Sequence, residues 1–150
     1  MRIEEEIQQR KFSSVYQKMH INVQFTASWL TQLSLSLLKP YNLSIQQFNI
    51  LRILRGMHPQ PASVKVLTER MVDRMSNASR LVEKLRQKGL VERAPCAEDR
   101  RRVEVVITDQ GLALLEEASK VIEVEMVNHT QHLTEEEAEQ LSNLLDKMRG

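Results

Sequence analysis

The 150-residue sequence has only one cysteine, Cys96, and therefore cannot form a disulfide within the chain. Long hydrophobic runs are also missing, since none reaches the roughly 18 residues that suggest a membrane-spanning helix. The opening segment, MRIEEEIQQR, contains no apolar stretch of the kind found in a cleaved signal peptide. Together these absences predict a cytoplasmic protein with no membrane partner.

Motifs of common enzyme sites are absent as well. The four glycines form no phosphate-binding loop, and there is neither a nucleophile elbow nor a paired-histidine metalloprotease motif. The sequence also lacks internal repeats, and its length suffices for one domain with one main core. We therefore expect a single domain over residues 1–150, with no enzymatic activity and no cofactor.

Charged residues are unevenly distributed, although the net charge is only +1. Residues 1–61 carry 7 basic and 3 acidic side chains, whereas residues 109–150 carry 3 basic and 10 acidic ones. Between Arg74 and Arg102, 9 basic side chains meet 4 acidic ones. A basic segment in a nearly neutral chain fits a phosphate-binding surface, but a solvated charged face would show the same pattern.

Apolar spacing and capping residues predict six helices and one hairpin. The expected elements are a long helix over about 11–38 ended by Pro40, a helix opening at Ser44 with Gln47 in a capping box, a short helix over about Ser63–Met71, a helix over Arg74–Lys88 capped by Asp73 and stopped by Gly89, β-stretches at Val91–Ala94 and Val103–Thr108, and two helices capped by Thr108 and by Thr134 with Glu137. Two helices that lead into a basic hairpin predict a winged helix-turn-helix.

The predicted fold class is therefore mainly α (α+β), with the winged helix over about residues 42–110. The remaining parts, about residues 5–38 and 109–150, are long helices. Their apolar stripes exceed what a small winged domain needs to cover, which indicates that they join two chains in a homodimer.

The predicted fourth helix has two different faces. Ala78, Leu81, Val82 and Leu85 share one side, which we expect to be buried. The other faces and the helix start carry hydroxyl, amide and cationic groups that can read base edges or grip phosphates in a major groove. These candidate DNA-binding residues are Arg74, Ser76, Asn77, Ser79, Arg80 and Lys84. Taken alone, this helix would also fit an ordinary amphipathic surface helix.

Three adjacent arginines, Arg100, Arg101 and Arg102, lie at the predicted hairpin tip. Such a tip suits the minor groove, where negative potential attracts arginine. Asp99 could orient one of them through a charge-assisted hydrogen bond. In an extended hairpin, Arg100 and Arg102 would share one face and Arg101 would lie on the other. The alternative is a solvated turn.

Several segments together carry a family resemblance. They are Leu43–Phe48, Leu67–Arg70, Ser76–Leu85, Lys88–Arg93, Asp99–Arg101, and Val103–Thr108 with Gly111. In order and spacing they resemble the MarR family of winged helix-turn-helix transcriptional regulators. The resemblance is close over about residues 40–112 and extends to the flanking helices in layout only. Val72-Asp73 lacks the small residue or glycine frequent in that family, and Arg102 replaces a small one.

The resemblance implies a sequence-specific DNA-binding regulator, a repressor that binds a palindromic operator as a triangular homodimer. It implies that the terminal helices form the dimer interface and that recognition helices enter successive major grooves. By matched position, Arg101 would be the wing-tip arginine and Asp99 its orienting partner. A helical protein-interaction module without DNA binding is the alternative, and it would leave the basic hairpin unexplained.

Other residues have two interpretations each. Tyr16, His20 and Trp29 could line a cavity for a small aromatic effector, as the resemblance suggests, or pack at the dimer interface. Cys96 lies near arginines that could lower the pKa of its thiol and favour oxidation, although the family's sensing position near the first helix has no cysteine. His129 and His132 lack further ligands at an obvious spacing, so we expect no metal site.

Overall fold

The computed structural model describes residues 1–96 and 98–150, with backbone only at Ala94 and Pro95. Its elements in chain order are α1 (Ile3–Glu6), α2 (Val15–Leu38), a 3-10 turn (Lys39–Tyr41), α3 (Ile45–Met57), β1 (Ala62–Ser63), α4 (Val64–Arg70), α5 (Ala78–Gln87), β2 (Val91–Pro95), β3 (Val103–Ile107), α6 (Asp109–Thr130) and α7 (Glu135–Arg149). This mainly helical architecture with a small antiparallel sheet confirms the predicted fold class.

The first long helix begins later than the sequence predicts. Ser14 is its N-cap and accepts a hydrogen bond from the backbone N–H of Gln17 at 3.1 Å. Residues 11–14 therefore lie before the helical residues of α2, contrary to the predicted start at about residue 11. The helix begins here because the backbone of Ser14 is extended while its side chain satisfies one of the free backbone donors of the first turn.

The start of α5 also differs from the prediction. Asn77, rather than Asp73, is the N-cap, and its side chain accepts from the backbone N–H of Arg80 at 3.1 Å. Asp73 instead forms a turn, in which its carboxylate accepts from the N–H of Met75 at 3.0 Å. Gly89, with φ of 74°, ends the helix region as predicted.

The sheet has the strand order β1-β3-β2, and both pairs are antiparallel. The predicted hairpin is confirmed, with Val91 opposite Ile107 and Ala94 opposite Glu104. The short strand β1 was not predicted, because two residues are too few to show an alternating pattern. It pairs Ala62 with Val105 and so places the start of α4 beside the wing, which consists of β2, β3 and the turn that joins them.

One buried cluster joins the end of α2, α3, α4, α5, the sheet and the first half of α6. Its most buried large side chains include Leu38, Ile50, Leu51, Leu54, Leu67, Leu85, Val91, Val105 and Leu115. Because α5 packs its apolar side into this cluster, its opposite side is presented outward at a defined orientation. Across the described ranges, no helix is long and apolar enough to span a membrane.

Candidate nucleic-acid interface

Helix α5 has the two faces that the sequence predicts. Ala78, Val82 and Leu85 are buried, and Leu81 is partly buried against the core. The remaining groups are available to a partner: Arg74, Asn77, Ser79, Arg80 and Lys84 are exposed and Ser76 is half-buried.

A shallow cleft of about 350 Å³ lies at the start of α5. Its walls are formed by Gln46, Asp73, Ser76, Asn77, Arg80, Leu81 and Lys84. The structure thus brings four of the predicted contact residues together, whereas Arg74 and Ser79 lie outside the lining. Gln46, on the first turn of α3, was missed because its single amide carries no pattern in the sequence. The cleft can offer amide, hydroxyl and cationic donors to one ligand.

Asn77 also stabilises the start of α5, apart from any contact with DNA. Its side-chain oxygen caps α5, so only the amide N–H groups remain to donate to a base. Asn77→Ala should therefore lower stability by about 1 kcal/mol, the usual cost of losing such a cap. The exposure predicted for Ser76 is also only partly met.

The turn before α5 is held by side chains instead of a glycine. The side-chain oxygen of Asn49, on α3, accepts from the backbone N–H of Val72 at 2.9 Å. The Asp73 carboxylate holds Met75, and the Asp73 carbonyl accepts from the N–H of Ser76 at 3.3 Å. These bonds explain how Val72-Asp73 forms the turn without the small residue frequent in the family. Asn49 was missed because it lies 23 residues away in sequence.

Glu83 links α5 to the wing. Its carboxylate accepts from Arg86 on the same helix at 2.7 Å and from Arg93 on β2 at 3.2 Å. The hydrogen bond from Arg86 is the largest cause that lowers the pKa of Glu83 to about 2, and Arg93 lowers it further. The three charged groups thus orient the base of the wing relative to α5.

We expect an NMR titration to show this network directly. The Glu83 carboxyl should titrate with a pKa of about 2, below its usual 4.5. Because the folded-state pKa is depressed, the contribution of this group to stability is complete above about pH 4.5 and is lost as the pH falls toward 2.

Alanine variants of Arg86 and Arg93 should show which of the two lowers the pKa of Glu83 more. Arg86→Ala should raise the pKa of Glu83 more than Arg93→Ala does, because the Arg86 hydrogen bond is the larger cause. As a matched control, Arg100→Ala removes a cation from the wing tip and should leave the pKa unchanged. A Glu83 pKa near 4.5 in the unaltered protein would show that the network does not form in solution.

The wing tip is a turn and not a continued hairpin. The Asp99 carboxylate accepts from the backbone N–H of Arg101 at 2.9 Å, where the sequence suggested a guanidinium. The Asp99 carbonyl accepts a hydrogen bond from the backbone N–H of Arg102 at 3.0 Å. The Arg102 carbonyl accepts one from the backbone N–H of Cys96 at 2.9 Å. The alternation expected for Arg100, Arg101 and Arg102 therefore does not apply, because β3 begins only at Val103.

The three wing arginines are exposed. Arg101 and Arg102 both line a cleft between the wing and the start of α4, together with Ser63, Val64, Lys65 and Val103. Lys65 was missed in the sequence, because only the pairing of β1 with β3 places it beside the wing. The cleft gathers three cationic side chains, and such a group of charges suits a phosphate.

Comparison with known proteins identifies the family. Residues 41–102, from the 3-10 turn to the wing, match the sequence model of the MarR family. The HTH-type transcriptional regulator PecS from Dickeya dadantii (strain 3937) is 33% identical over 113 residues, which is 72% of this chain and 66% of that protein. The chain belongs to the MarR family. The chain spans about two thirds of the length of the curated relatives it matches: 66% of PecS, and 65% of the HTH-type transcriptional repressor IacR from Pseudomonas putida.

Solved structures agree with this assignment. A MarR transcription factor from Planctomyces limnophilus is 29% identical, with a TM-score of 0.69 over 91% of this chain and 98% of that one. A mutant MarR from E. coli in complex with operator DNA has the same fold, with a TM-score of 0.78 at 24% identity over 91% of this chain and 99% of that one. PecS and the Planctomyces limnophilus protein are described as a transcriptional regulator and a transcription factor, in line with the expected absence of enzymatic activity.

The effector residues suggested for this MarR-family chain are exposed on α2. Tyr16 is 71% exposed and Trp29 is 42% exposed, and the Trp29 ring lies 6.0 Å from the ring of His129. His20 shares a hydrogen bond with the Tyr16 carbonyl at 2.8 Å. The three residues are thus not brought into one enclosed cavity within a single chain, and a ligand site there stays a prediction.

Two further sequence candidates have defined surroundings. Cys96 is a free cysteine, and it is buried at the base of the wing turn. Nδ1 of His129 lies 3.6 Å from a carboxylate oxygen of Glu125. Over the part of the chain that the structure describes, no three His, Cys, Asp or Glu side chains form a group that could hold a metal ion.

A large apolar surface remains on the helices outside the winged part. The side chains that contribute to it are Val15, Tyr16, Met19, Phe25, Trp29, Leu30 and Leu35 on α2, Val121, Val124, Met126 and Val127 on α6, and Leu141, Leu144 and Met148 on α7. Between α2 and α7 these helices form an apolar cleft of about 400 Å³. Exposed apolar area of this extent marks a surface that a partner covers.

Proposed function

We propose that this MarR-family chain is a sequence-specific DNA-binding regulator that represses transcription as a homodimer bound to a palindromic operator. The observation that carries the proposal is the outward face of α5, where Ser76, Asn77, Arg80 and Lys84 meet in one open cleft. An exposed, capped helix start with these donors can enter a major groove and contact base edges.

Roles in the recognition helix follow from the chemistry of each group. Arg80 is long enough to donate two hydrogen bonds to a guanine, and the free amide of Asn77 can donate to an acceptor on a base. Arg74, Lys84 and Ser79 are suited to phosphate contacts, which position the protein without reading sequence.

The wing supplies the second contact. In the described part of the chain, no carboxylate lies within ion-pair distance of Arg100, Arg101 or Arg102. Their charge is therefore available to DNA, and we assign Arg101 to the minor groove, with Arg102 and Lys65 on adjacent phosphates. Asp99 keeps its orienting role through the backbone of Arg101, because it folds the turn that presents this side chain.

The apolar surfaces of α2, α6 and α7 support the homodimer. A two-fold dimer presents two recognition helices and two wings, so its operator should be a palindrome with half-sites about one helical turn apart. A dimer bound across such a site would block access to it, which is the basis for proposing repression.

A small aromatic effector that binds near Tyr16, His20 and Trp29 would act on the same helices that form the dimer interface. Because its partner is DNA, the protein would work in the cytoplasm.

We test the proposal by selecting bound duplexes from a random pool and then measuring affinity against salt. A palindromic consensus is expected. The four cations assigned to phosphates in each half-site would neutralise about eight phosphates per dimer, so the log–log slope should be about −7. Lys84→Ala and Lys65→Ala should each reduce the steepness by one to two phosphate equivalents per dimer.

Sedimentation of the free protein provides the accompanying control. A dimer that binds no duplex, or a slope near zero, would instead favour a helical protein-interaction module. A monomer that binds DNA with full affinity would contradict the assignment of the apolar helical surfaces to the dimer interface.

A further inference from the structure

Two large apolar side chains are almost fully exposed in the turn between α4 and α5. Val72 is 89% exposed and Met75 is 93% exposed. Among the described residues of the segment 39–108, they are the only large hydrophobic side chains that are exposed. All other such residues, apart from Met1 and Leu133, lie on α2, α6 and α7, where the proposed dimer interface accounts for them.

The backbone that carries these two side chains is tied down. The N–H of Val72 donates to Asn49 and the N–H of Met75 donates to Asp73, at 2.9 Å and 3.0 Å. Two residues after Met75, Asn77 caps α5. The exposed methyl and thioether groups therefore belong to an ordered turn and not to a frayed end. A partner that meets the turn finds the backbone of both residues already ordered, which lowers the entropic cost of the contact.

The surroundings indicate what that partner is. Arg74 lies between the two apolar residues, and Ser76, Asn77 and Arg80 follow directly in the proposed base-reading cleft. Cationic and hydrogen-bonding groups beside apolar ones match a major groove, whose apolar feature is the 5-methyl group of thymine. A purely apolar protein partner would leave Arg74 and Arg80 without partners.

We propose that Val72 and Met75 contact thymine 5-methyl groups in each half-site, with Met75 as the principal contact. These residues would then select T·A pairs next to the positions that Arg80 reads. The inference rests on the proposed function, since it requires α5 to enter the major groove. It assigns a specificity role to two residues that a search for polar or charged contacts overlooks.

Deoxyuridine provides the experiment, because it pairs like thymine but lacks the 5-methyl group. In the selected operator, each thymine of a half-site is replaced in turn, symmetrically in both half-sites, and the dissociation constant is measured. At one or two positions the affinity should fall by about fourfold per half-site, and so by about fifteenfold for the dimer, as expected for burying one methyl-sized group in each half-site.

Protein variants identify the residue that is responsible. With Met75→Ala, the ratio of thymine to deoxyuridine affinity at one such position should fall toward one, and Val72→Ala should lower the ratio at the same or a neighbouring position. The matched control is Lys84→Ala, which should weaken binding to both duplexes equally. Thermal unfolding of Met75→Ala should match the unaltered protein, because the side chain is 93% exposed.

The outcomes separate this inference from the proposed function. If binding stays salt-dependent and specific while no deoxyuridine replacement changes affinity, the methyl contact is refuted and the DNA-binding function stands. If the methyl effect is present but neither variant alters it, the contact belongs to other residues and the inference is overturned. If the protein binds no duplex at any salt concentration, both the function and this inference fail.

Discussion

Replacing Ala78 by aspartate should strongly destabilise the winged-helix part of the protein. Ala78, the first residue of α5, is 4% exposed and its side chain packs in the core. A carboxylate there would be buried without a partner, which should cost at least about 3 kcal/mol, a large share of a typical stability of about 5–15 kcal/mol. Its place in the first turn of a helix favours an acid by only about 0.3–1 kcal/mol, so the burial cost dominates.

The adjacent residue supplies the control for this prediction. Ser79→Asp puts the same charge at the same helix end, but on an exposed position. Its stability in urea denaturation should match the unaltered protein within about 1 kcal/mol. If Ala78→Asp were as stable as Ser79→Asp, the assignment of the buried face of α5 would be wrong, and with it the face proposed to meet DNA.

Replacing Gly111 by alanine should destabilise the junction between the wing and α6. A Cβ atom at Gly111 would lie 2.2 Å from the Leu90 carbonyl oxygen and 2.8 Å from Cγ1 of Ile107. The same carbonyl accepts the N–H of Thr108 at 3.1 Å, so the backbone at the start of β2 would have to move. Overpacking of this kind costs about 1–3 kcal/mol or more, and displacement of the wing should also weaken DNA binding.

A second helical glycine makes the test specific. Gly56→Ala, in α3, meets no atom within 4 Å. It should therefore stabilise the protein by about 0.5–1 kcal/mol, the usual preference of a helix for alanine over glycine. Urea denaturation of both variants should give shifts of opposite sign, and two shifts in the same direction would contradict the close packing of Gly111 against Leu90.

Elements controlled by short-range chemistry were predictable. The capping boxes of Ser44 with Gln47 and Thr134 with Glu137 formed as expected, as did the cap at Thr108. The stop at Gly89 was also found, because a left-handed φ is accessible to glycine at little cost. In each case, all the interacting atoms lie within one turn of the chain.

Choices between equivalent local solutions were less predictable. Asp73 and Asn77 can both cap a helix, and the sequence offers no reason to prefer the second. The choice fits a turn whose N–H at Val72 is satisfied by the distant Asn49. Asp99 presents the same ambiguity, since its carboxylate can accept from a guanidinium or from the nearby N–H of Arg101, and the turn geometry favours the latter.

The sequence by itself determined the mainly helical winged fold, the buried face of α5 and the positions of the cationic residues, because periodicity and composition are local properties. Only the tertiary structure decided which of these residues meet. The pairing of β1 with β3 brought Lys65 to the wing, and the contact of Arg93 with Glu83 joined the wing to α5. The packing of α3 against α5 placed Gln46 in the same cleft as Arg80. Such contacts between distant segments depend on how the elements pack around the core, and no pattern within a single segment encodes them.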